Sequence, residues 1–464
     1  AHMARGSFKT RRGRLSARSV PAHSPGRLVV AGFGALILTG TVALLMPWAH
    51  APGRSISVLE ALFTSTSAVC VTGLAVLDTA TAWSGVGQAT IMVLIQLGGL
   101  GIMTAASLIA ILVTHRLGLA SRLVTASERG TVLMGDIRGT VLRVVTITAV
   151  IEGTVATVLA VRFATVYGYS LPKAVWHGVF HSVSAFNNAG FALYSDSIVS
   201  FVGDPVVCLA IAGAVILGGI GYPVIIEIVR RSGTREVRRR SWSLHSRLTV
   251  WYSAILLLAG TVLVAGVEWD RPGTLGPLSV PTKLLAAVFQ SAITRTAGFN
   301  SVPIGELEPG TLFGMDLLMF IGAGSAGTAG GVKVTTIAVL LAAIRAQVQG
   351  EPDTTLIDRR LSGGTVRLAL AVVATSLVAV VTATFAIVLT SHWTLDQVLF
   401  EVVSAFGTVG LSTGITPDLA SGHQLVVIML MFGGRVGMLG FITALSIPRR
   451  HALVRPPEGR PLVG

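Results

Sequence analysis

The sequence predicts an all-α polytopic membrane protein, made of four helix–pore-loop–helix repeats around one central pore with pseudo-fourfold symmetry. Three observations lead to this fold class: the composition is apolar, long apolar runs recur along the chain, and a short pattern ending in glycine occurs four times. Of the 464 residues, 52% are hydrophobic and 12% are charged, with a mean hydropathy of +0.76. Soluble domains carry about 25% charged residues, so this composition indicates a membrane protein.

Cysteine content and charge exclude two other classes of protein. Only Cys70 and Cys208 are present, which excludes a disulfide framework and a cysteine-rich metal site. The net charge of +14 is compatible with nucleic-acid binding, but the positive residues are spread over several short connections. That distribution is typical of membrane orientation, so we expect no nucleic-acid partner.

The first element follows a basic tail. The opening Ala-His-Met resembles a cloning remnant. Arg5–Arg27 is basic and Leu28–Trp48 is apolar, a pattern that a cleaved signal peptide shares. The apolar run has about 20 residues, which is longer than the apolar region of a signal peptide, about 7–15 residues, and spans a bilayer. We therefore expect a retained membrane helix.

Eight apolar runs are long enough to cross a bilayer. They lie at 28–48, 88–114, 140–161, 205–229, 248–267, 312–344, 366–390 and 424–447. Between the members of each successive pair lies a shorter segment that is too short to cross and is typical of a re-entrant helix. These short segments are Val58–Val69, Lys173–Phe186, Thr282–Ile293 and Leu395–Phe406.

A short pattern at the end of these segments repeats along the chain. The four copies read S-A-V-C-V-T-G-L (67–74), S-A-F-N-N-A-G-F (184–191), A-I-T-R-T-A-G-F (292–299) and S-A-F-G-T-V-G-L (404–411). Their glycines are Gly73, Gly190, Gly298 and Gly410, spaced 117, 108 and 112 residues apart. A phenylalanine precedes each glycine by nine or ten positions. Near-equal spacing over four copies indicates an internal repeat of helix, re-entrant helix, loop and helix.

The repeats define the predicted domain boundaries. These are a basic cytoplasmic tail at 1–26, repeat 1 at 27–116, repeat 2 at 138–231, repeat 3 at 246–346, repeat 4 at 364–448 and a cytoplasmic C-terminal tail at 449–464. Most of the 35 Lys and Arg residues lie in the two tails and the connections between repeats. By the positive-inside rule, both termini are cytoplasmic and the four short segments enter from outside.

Four re-entrant loops around one axis favour an ion pore. Non-helical backbone at membrane depth is tolerated only where protein buries it or where it lines a cavity. A ring of backbone carbonyls can replace the hydration shell of a potassium ion. Each short helix runs inward, so the negative end of its dipole points at the membrane middle and favours a cation there. The side chains before the four glycines are mixed, which suits ligands from the main chain.

This arrangement, with a third loop that reads T-R-T-A-G-F-N (294–300), resembles the KtrB/TrkH-type potassium transporter subunits of the Trk/Ktr/HKT superfamily. The resemblance covers 27–448 and is closer to the shorter KtrB type, which lacks an extra helix pair before the first repeat. It implies potassium uptake across the bacterial cytoplasmic membrane through a selectivity filter. The implied potassium-binding residues are Val71, Thr72, Gly73, Asn188, Ala189, Gly190, Thr296, Ala297, Gly298, Thr408, Val409 and Gly410. The first copy departs most from the usual pattern, with Val69-Cys70-Val71-Thr72.

A glycine-rich segment (residues 320–333, F-I-G-A-G-S-A-G-T-A-G-G-V-K) interrupts the sixth apolar run. Each glycine costs about 1 kcal/mol in a helix relative to alanine, so five of them oppose a continuous helix. Close packing through small residues is one interpretation. The resemblance implies the other, a gating loop below the filter. The implied gate residues are Gly322, Gly324, Gly327, Gly330, Gly331, Lys333 and Arg435.

Charged residues inside the apolar runs are the remaining candidates. Arg435 lies in the last run, where an arginine costs at least about 2.5 kcal/mol and predicts a functional role. By resemblance it projects into the pore as a barrier to cations. Lys333 either acts in the same way or extends its amine to the inner interface. Arg295 stands three residues before Gly298, and we expect it to turn away from the pore and pair with an acid behind the loop.

Other polar residues have weaker signals. Glu401 either tunes the outer vestibule or hydrogen-bonds the loop, and Glu152 is expected to pair within the bundle. His177 and His181 lie four apart on one helix face, as metal ligands do, but no third ligand is evident and we expect structural histidines. Acidic residues give the outer face a character that concentrates cations. They are Asp78, Asp196, Asp204, Glu306, Glu308 and Asp418.

Three other functions compete with that of an ion pore. An ion-coupled (Na+ or H+) secondary carrier is the alternative, although such carriers usually have inverted or paired repeats and these four run parallel. An intramembrane enzyme would need a carboxylate pair, a serine site or a zinc site, and the sequence has no such constellation, so we expect no enzyme. A non-transporting membrane scaffold is the third, and its function would not require a filter-like glycine in each of the four repeats.

The resemblance also implies partners. Such subunits form homodimers and dock on a cytoplasmic RCK-type ring (KtrA/TrkA-like). We expect no cofactor in this chain, with K+ as the transported ion. A nucleotide (ATP/ADP or NAD) is expected only on the regulatory partner.

Overall fold

The computed structural model describes residues 25–115, 137–231 and 242–437, so the predicted C-terminal tail and residues 1–24 of the predicted N-terminal tail lie outside the described residues. The α-helices in these ranges are α1 (Pro25–Leu45), α2 (Val58–Val69), α3 (Thr79–Ala82), α4 (Gly85–His115), α5 (Ile137–Thr165), α6 (Leu171–Phe186), α7 (Pro205–Ile220), α8 (Tyr222–Arg231), α9 (Leu244–Glu268), α10 (Val280–Thr294), α11 (Pro309–Phe320), α12 (Val334–Gln349), α13 (Gly363–Thr390), α14 (Leu395–Gly407) and α15 (Ser421–Val436). Between α12 and α13 the described chain also forms a short hairpin. Its two antiparallel strands have two residues each, β1 (Thr355–Leu356) and β2 (Arg359–Arg360).

Each repeat has an outer helix (α1, α5, α9, α13) and a short helix (α2, α6, α10, α14). An inner helix follows the loop, as one helix in the first and fourth repeats (α4, α15) and as a pair in the second and third (α7 with α8, α11 with α12). In three repeats a serine on the short helix donates a hydrogen bond to a carbonyl of the outer helix. The pairs are Ser65 with Ile37 (2.7 Å), Ser182 with Glu152 (2.6 Å) and Ser291 with Leu257 (2.7 Å). A hydroxyl that bonds to the backbone of a neighbouring helix is a common device of helix packing in membranes.

The four short helices begin with residues that favour a helix start. In α2, Ser57 and Glu60 form a capping box, with the Ser57 N–H donating to Glu60 Oε2 at 2.7 Å. Thr394 and Gln397 form the same device at α14. A proline lies in the first turn of α6 and of α10, where its missing N–H costs nothing.

A phenylalanine anchors each short helix in the core. These are Phe63, Phe180, Phe289 and Phe400, each at most 1% exposed. They are the residues that precede the four glycines by nine or ten positions in the sequence. The periodic phenylalanine is therefore a packing residue, which fixes the depth of each short helix.

Five of the described helices are long and apolar enough to cross a membrane. These spans are Arg27–Leu45, Gly85–Thr104, Val141–Thr165, Leu244–Glu268 and Gly363–Thr390. They overlap five of the eight predicted runs. The final run, 424–447, is described only as far as residue 437.

The apolar run predicted at 205–229 is not one straight helix but a bent pair of helices. Helices α7 and α8 meet at an angle of 103°. The break falls at Gly221, which has a φ of +91°, a conformation that glycine adopts without strain. A methyl carbon on Gly221 would lie 2.7 Å from the Ser325 carbonyl oxygen, so the glycine-rich segment packs directly into this bend.

The sixth predicted run, 312–344, is interrupted. Helix α11 ends at Phe320 and α12 begins at Val334, so residues 321–333 of the glycine-rich segment are not helical. The segment turns back on itself, because the Gly322 N–H donates to the Val332 carbonyl at 2.8 Å. Its glycines allow close approach to neighbouring backbone.

Candidate functional site

The four glycines of the repeated pattern meet in a closed ring, the glycine ring. A methyl carbon on Gly73 would lie 3.2 Å from the Cα of Gly190, and one on Gly190 would lie 2.6 Å from the Cα of Gly298. One on Gly298 would lie 3.2 Å from the Cα of Gly410, and one on Gly410 would lie 3.0 Å from the Cα of Gly73. The contacts run in chain order and return to the start, so residues more than 100 positions apart lie around one axis.

The backbone of the four loops has the same alternation of φ. The residue two positions before each glycine has positive φ: Val71 (56°), Asn188 (61°), Thr296 (79°) and Thr408 (48°). The glycines also have positive φ: Gly73 (94°), Gly190 (70°), Gly298 (69°) and Gly410 (93°). The residues between have negative φ: Thr72, Ala189, Ala297 and Val409. Positive φ is uncommon outside glycine, so four such residues at one repeat position are a shared constraint of the site.

Glycines on the inner helices make room for the loops. In three repeats the first or second glycine of a Gly-Gly pair lies against a carbonyl at the end of the short helix. The pairs are Gly98 with Val69, Gly218 with Phe186 and Gly434 with Phe406. A side chain at any of these glycines would collide with that carbonyl oxygen.

A serine in three of the four repeats holds the loop that follows it; we name this contact the serine lock. The Ser67 hydroxyl accepts the Gly73 N–H at 3.0 Å, and the Ser404 hydroxyl accepts the Gly410 N–H at 3.1 Å. Ser184 instead donates to the carbonyl of the residue after its glycine, at 2.8 Å. The third copy of the pattern has no serine at this place.

A polar network that sequence analysis missed braces the second loop. The Asn187 amide donates to Gln96 Oε1 at 2.8 Å and to Glu152 Oε1 at 3.0 Å, and Gln96 Nε2 donates to Glu152 Oε2 at 3.2 Å. Glu152 thus pairs within the bundle, as expected, with two amides. The available signal was an amide and an acid inside two apolar runs, since such residues are costly there without partners.

His181 and Glu401 support loops from behind. The Leu193 N–H donates to His181 Nε2 at 3.3 Å, and Nδ1 of the same ring lies 2.7 Å from the His177 carbonyl. Glu401 accepts hydrogen bonds from the hydroxyls of Ser412, at 2.6 Å, and Thr416. Within the described residues no group of three or more His, Cys, Asp and Glu could hold a metal ion.

The glycine-rich segment lies against the second repeat. The Gly324 N–H donates to the Gly219 carbonyl at 3.0 Å, and the Thr328 N–H donates to the Gly218 carbonyl at 3.2 Å. The Thr328 hydroxyl donates to Asn188 Oδ1, on the second loop, at 2.8 Å. The segment therefore makes contact with a loop of the glycine ring as well as with the inner helix.

The other glycines of the segment lie close to backbone too. A methyl carbon on Gly327 would lie 2.5 Å from the Gly219 carbonyl oxygen, and one on Gly331 would lie 3.3 Å from the Cα of Gly407 in the fourth repeat. One on Gly330 would lie 2.8 Å from the Gly407 carbonyl oxygen. Lys333 donates to the carbonyls of Ala329 and Gly330, the latter at 3.3 Å.

Arg435 joins three parts of the molecule. Its guanidinium donates from Nη1 to the Thr328 carbonyl and from Nη2 to the Gly98 carbonyl at 3.2 Å. The side chain is 4% exposed. The structure thus brings Arg435 and the glycine-rich segment together. Their action as a barrier stays a prediction.

Arg295 turns away from the glycine ring, but the prediction that it pairs with an acid is wrong for the described residues. Its Nη1 donates to the Ser253 carbonyl at 3.0 Å and its Nη2 to the Ser253 hydroxyl at 2.9 Å. Ser253 lies on α9, whose face towards the third loop offers neutral acceptors.

Several outer acids have structural partners. Asp204 caps α7 and accepts hydrogen bonds from Arg162 Nε at 2.8 Å and the Tyr167 hydroxyl at 3.0 Å. Burial raises the pKa of this carboxyl, but the bonds from Arg162, Tyr167 and two backbone N–H groups outweigh it and hold the pKa below its usual value. Glu308 pairs with Arg271 at 2.6 Å. These acids therefore contribute less free negative charge than the sequence suggests.

Comparisons with known proteins agree with this architecture. The sequence profile of a family described as TrkH, cation transport protein, matches residues 16–452. The "Ktr system potassium uptake protein B" of Bacillus subtilis is 38% identical, over 95% of this chain and 97% of that protein. The protein of the same name from Vibrio alginolyticus is 37% identical, over 94% of each.

A solved structure has the same fold. The crystal structure of the potassium transporter TrkH from Vibrio parahaemolyticus matches with a TM-score of 0.74 and 18% identity, over 93% of this chain and 86% of that chain. This likeness confirms the predicted all-α polytopic fold class. The two sequence relatives are named as uptake proteins, in agreement with the expectation of a transporter of the shorter type rather than an enzyme.

Proposed function

Because the chain belongs to the TrkH family of cation transport proteins, we propose that it takes up potassium across the bacterial cytoplasmic membrane, through a pore formed by its four loops. Support for the ion comes from relatives at 38% and 37% identity that are named as potassium uptake proteins. The apolar spans support a multi-pass membrane protein. The charge distribution supports cytoplasmic termini.

The glycine ring carries this proposal. Alternation of φ between positive and negative values turns successive carbonyl groups to one side of the backbone. Four loops that do this around one axis give stacked rings of carbonyl oxygens, which replace the hydration shell of a potassium ion. In this filter the ion ligands are main-chain oxygens of the residues at the glycine ring and the two positions before each glycine.

The short helices add to the field at the ring. Each of α2, α6, α10 and α14 ends directly before its loop, so four C-terminal dipole ends converge there. A helix C-terminus carries about half a negative charge and favours a nearby cation. The helices therefore stabilise an ion that has shed its water.

The glycine-rich segment and Arg435 form the gate of the proposed pore. The segment bonds to the second loop through Thr328, and Arg435 bonds to the Thr328 carbonyl. A guanidinium below a cation filter raises the energy of a passing cation. Opening requires the segment and Arg435 to move apart, with Lys333 at the cytoplasmic end of the segment as a second positive charge.

Regulation is proposed to come from a cytoplasmic partner. Relatives are named as parts of a Ktr system, and the family resemblance implies a homodimer on an RCK-type ring that carries the nucleotide. The chain itself requires K+ only as the transported ion.

Uptake by potassium-auxotrophic bacteria tests the function. The full chain, expressed with its regulatory subunit, restores growth at low potassium. Gly298→Ser abolishes growth, because φ there is +69° and a side-chain carbon would lie 2.7 Å from the Val409 carbonyl oxygen. Gly266→Ser is the matched control, since Gly266 is exposed with no atom within 4 Å of an added carbon. Failure of the parent chain to rescue growth sinks the proposal.

Channel-like transport and ion-coupled transport give different results in proteoliposomes. We expect rubidium flux down its own gradient with sodium and proton gradients set to zero. A flux that requires a sodium or proton gradient favours the coupled carrier.

A further inference from the structure

The third loop is built differently from the other three. Phe289 precedes Gly298 by nine residues, whereas the spacing in the other copies is ten. The Ala297 N–H donates to the Ile293 carbonyl at 2.9 Å, in the place where the fourth loop has the Val409 N–H on the Ser404 carbonyl at 2.8 Å. Ile293 therefore stands where the other repeats have the serine of the serine lock, and it has no hydroxyl to offer.

Arg295 supplies a different anchor for this loop. It lies three residues before Gly298 and directs its two terminal nitrogens to the carbonyl and the hydroxyl of Ser253, at 3.0 Å and 2.9 Å. Only 8% of the side chain is exposed. A planar guanidinium that bonds two acceptors at once fixes both the position and the direction of the group. The loop is thereby tied to α9.

The surroundings of the guanidinium fit a positioning role. Nε of Arg295 has no protein partner among the described residues. A cavity of about 20 Å³ borders Arg295, Ala292 and Ala323. By volume this void exceeds the roughly 10–15 Å³ that one water molecule needs. The charge is thus held behind the loop, on the side of α9.

We propose that Arg295 is the positioning residue of the third loop, that its fork to Ser253 does the work of the missing serine lock, and that it thereby sets discrimination between potassium and sodium. The inference rests on the proposed function. A ring of carbonyl oxygens selects an ion by the number and spacing of those oxygens. If the third loop loses its anchor, its carbonyl oxygens move, and both the number and the spacing change.

Tracer uptake into proteoliposomes of the full chain tests the proposal. The measured quantity is the ratio of rubidium uptake to sodium uptake. Arg295→Gln lowers this ratio about tenfold, because bonds from a charged donor are lost. Arg295→Lys recovers only part of the ratio, since an ammonium presents a single point and no planar fork. Ser253→Ala keeps the carbonyl acceptor and lowers the ratio about threefold.

A second substitution tests whether a serine lock can hold the third loop in place of Arg295. In the Arg295→Gln background, Ile293→Ser restores a hydroxyl at the lock position, and Ile293→Ala is the matched control with a similar loss of volume. We expect Ile293→Ser to raise the ratio at least about threefold above Ile293→Ala. Loss of stability alone lowers total uptake in both double variants and leaves their ratios equal.

The outcomes are separate from those of the proposed function. A parent chain without potassium-selective uptake overturns the function itself. A selective parent with an Arg295→Gln ratio within about twofold of it overturns only this inference. Equal ratios in the two Ile293 double variants overturn it as well. If Arg295→Gln does not fold, as judged by thermal unfolding in detergent, Ser253→Ala decides: an unchanged ratio overturns the role of the fork.

Discussion

The third and fourth loops reach the same backbone geometry by different means. Both have positive φ at a threonine and at the glycine two residues later, with a residue of negative φ between. The fourth loop is held by the Ser404 hydroxyl, and Gly407 stands three residues before its glycine. The third loop has Arg295 at that place, bonded to Ser253.

The difference teaches which part of the repeat is fixed. The ring requires glycine and the alternation of φ in all four copies, because each glycine touches the next. The brace behind each loop varies: a serine lock holds the first, second and fourth loops, the Asn187 network adds to it in the second, and Arg295 holds the third. The four copies therefore share the backbone geometry of the loop that faces the axis, whereas the side chains that hold each loop from behind differ between copies.

The largest effect is expected at the shared part. Gly410→Ala lowers the maximal uptake rate about 100-fold, since alanine at φ +93° is strained and its methyl would meet the Thr72 carbonyl. Gly414 has a φ of +98° with no neighbouring atom within 4 Å. Gly414→Ala therefore carries the strain without the collision, and its uptake stays within about threefold of the parent. Equal losses in the two variants would mean that strain, and not the ring, is decisive.

The next effect concerns the contact between the third and fourth repeats. Arg435→Ala removes a charge that bonds the glycine-rich segment, and rubidium uptake rises about tenfold, because repulsion between two cations close together at a protein site amounts to a few kcal/mol. Uptake is compared at equal expression. Arg435→Lys, which keeps the charge, is the control and stays near the parent. Unchanged uptake in Arg435→Ala would show that this arginine does not contribute to the barrier.

A smaller effect is expected at the brace of the fourth loop. Ser404→Ala lowers the rubidium-to-sodium ratio about fivefold, because one neutral hydrogen bond to the Gly410 N–H is lost. Ser421→Ala, at the exposed start of α15, leaves the ratio unchanged. A ratio that is insensitive to Ser404 while Arg295 variants change it would show that the third loop alone depends on its anchor.

The smallest effect is expected at Asp204, which lies outside the glycine ring, and it concerns stability instead of uptake. Asp204→Asn weakens the contact with Arg162 and lowers the thermal midpoint at pH 7 by about 2 °C. The pKa of Asp204 is lowered in the folded protein, so its stabilisation is present above the ordinary value of 3.8 and is lost as the pH falls through the folded pKa. The difference between parent and variant therefore narrows below about pH 4. A constant difference across this range contradicts the ionic contribution.

The sequence was sufficient for features that repeat. The boundaries of α2 agree with the predicted Val58–Val69, and those of the other short helices differ from the prediction by at most two residues at either end. Four copies of one pattern support the same assignment independently. The glycine is required by its positive φ, and the phenylalanine is required by its buried position in the core. For the same reason the sequence alone predicts that the four loops lie around one axis.

Features that occur once could not be predicted in the same way. The bend at Gly221 is absent from the prediction, because an apolar run with three more glycines is also compatible with a straight helix. The segment that packs into the bend, at Ser325, lies far away in the sequence. The general rule for buried charges predicts an acidic partner for Arg295, and its partner is the neutral Ser253. The identity of its partner depends on which face of α9 lies behind the loop, and no local pattern encodes that choice.

The order of the glycine ring has a consequence in genetic terms. In a channel assembled from four identical subunits, one codon changes all four walls together. Here Gly73, Gly190, Gly298 and Gly410 are encoded separately, so mutation alters one wall while three remain. Substitutions at neighbouring members such as Gly190 and Gly298 should interact, whereas the diagonal pair Gly73 and Gly298 should act more independently. A single gene can therefore change one quarter of the glycine ring at a time, and Arg295 behind the third loop is an asymmetry that such a gene can encode.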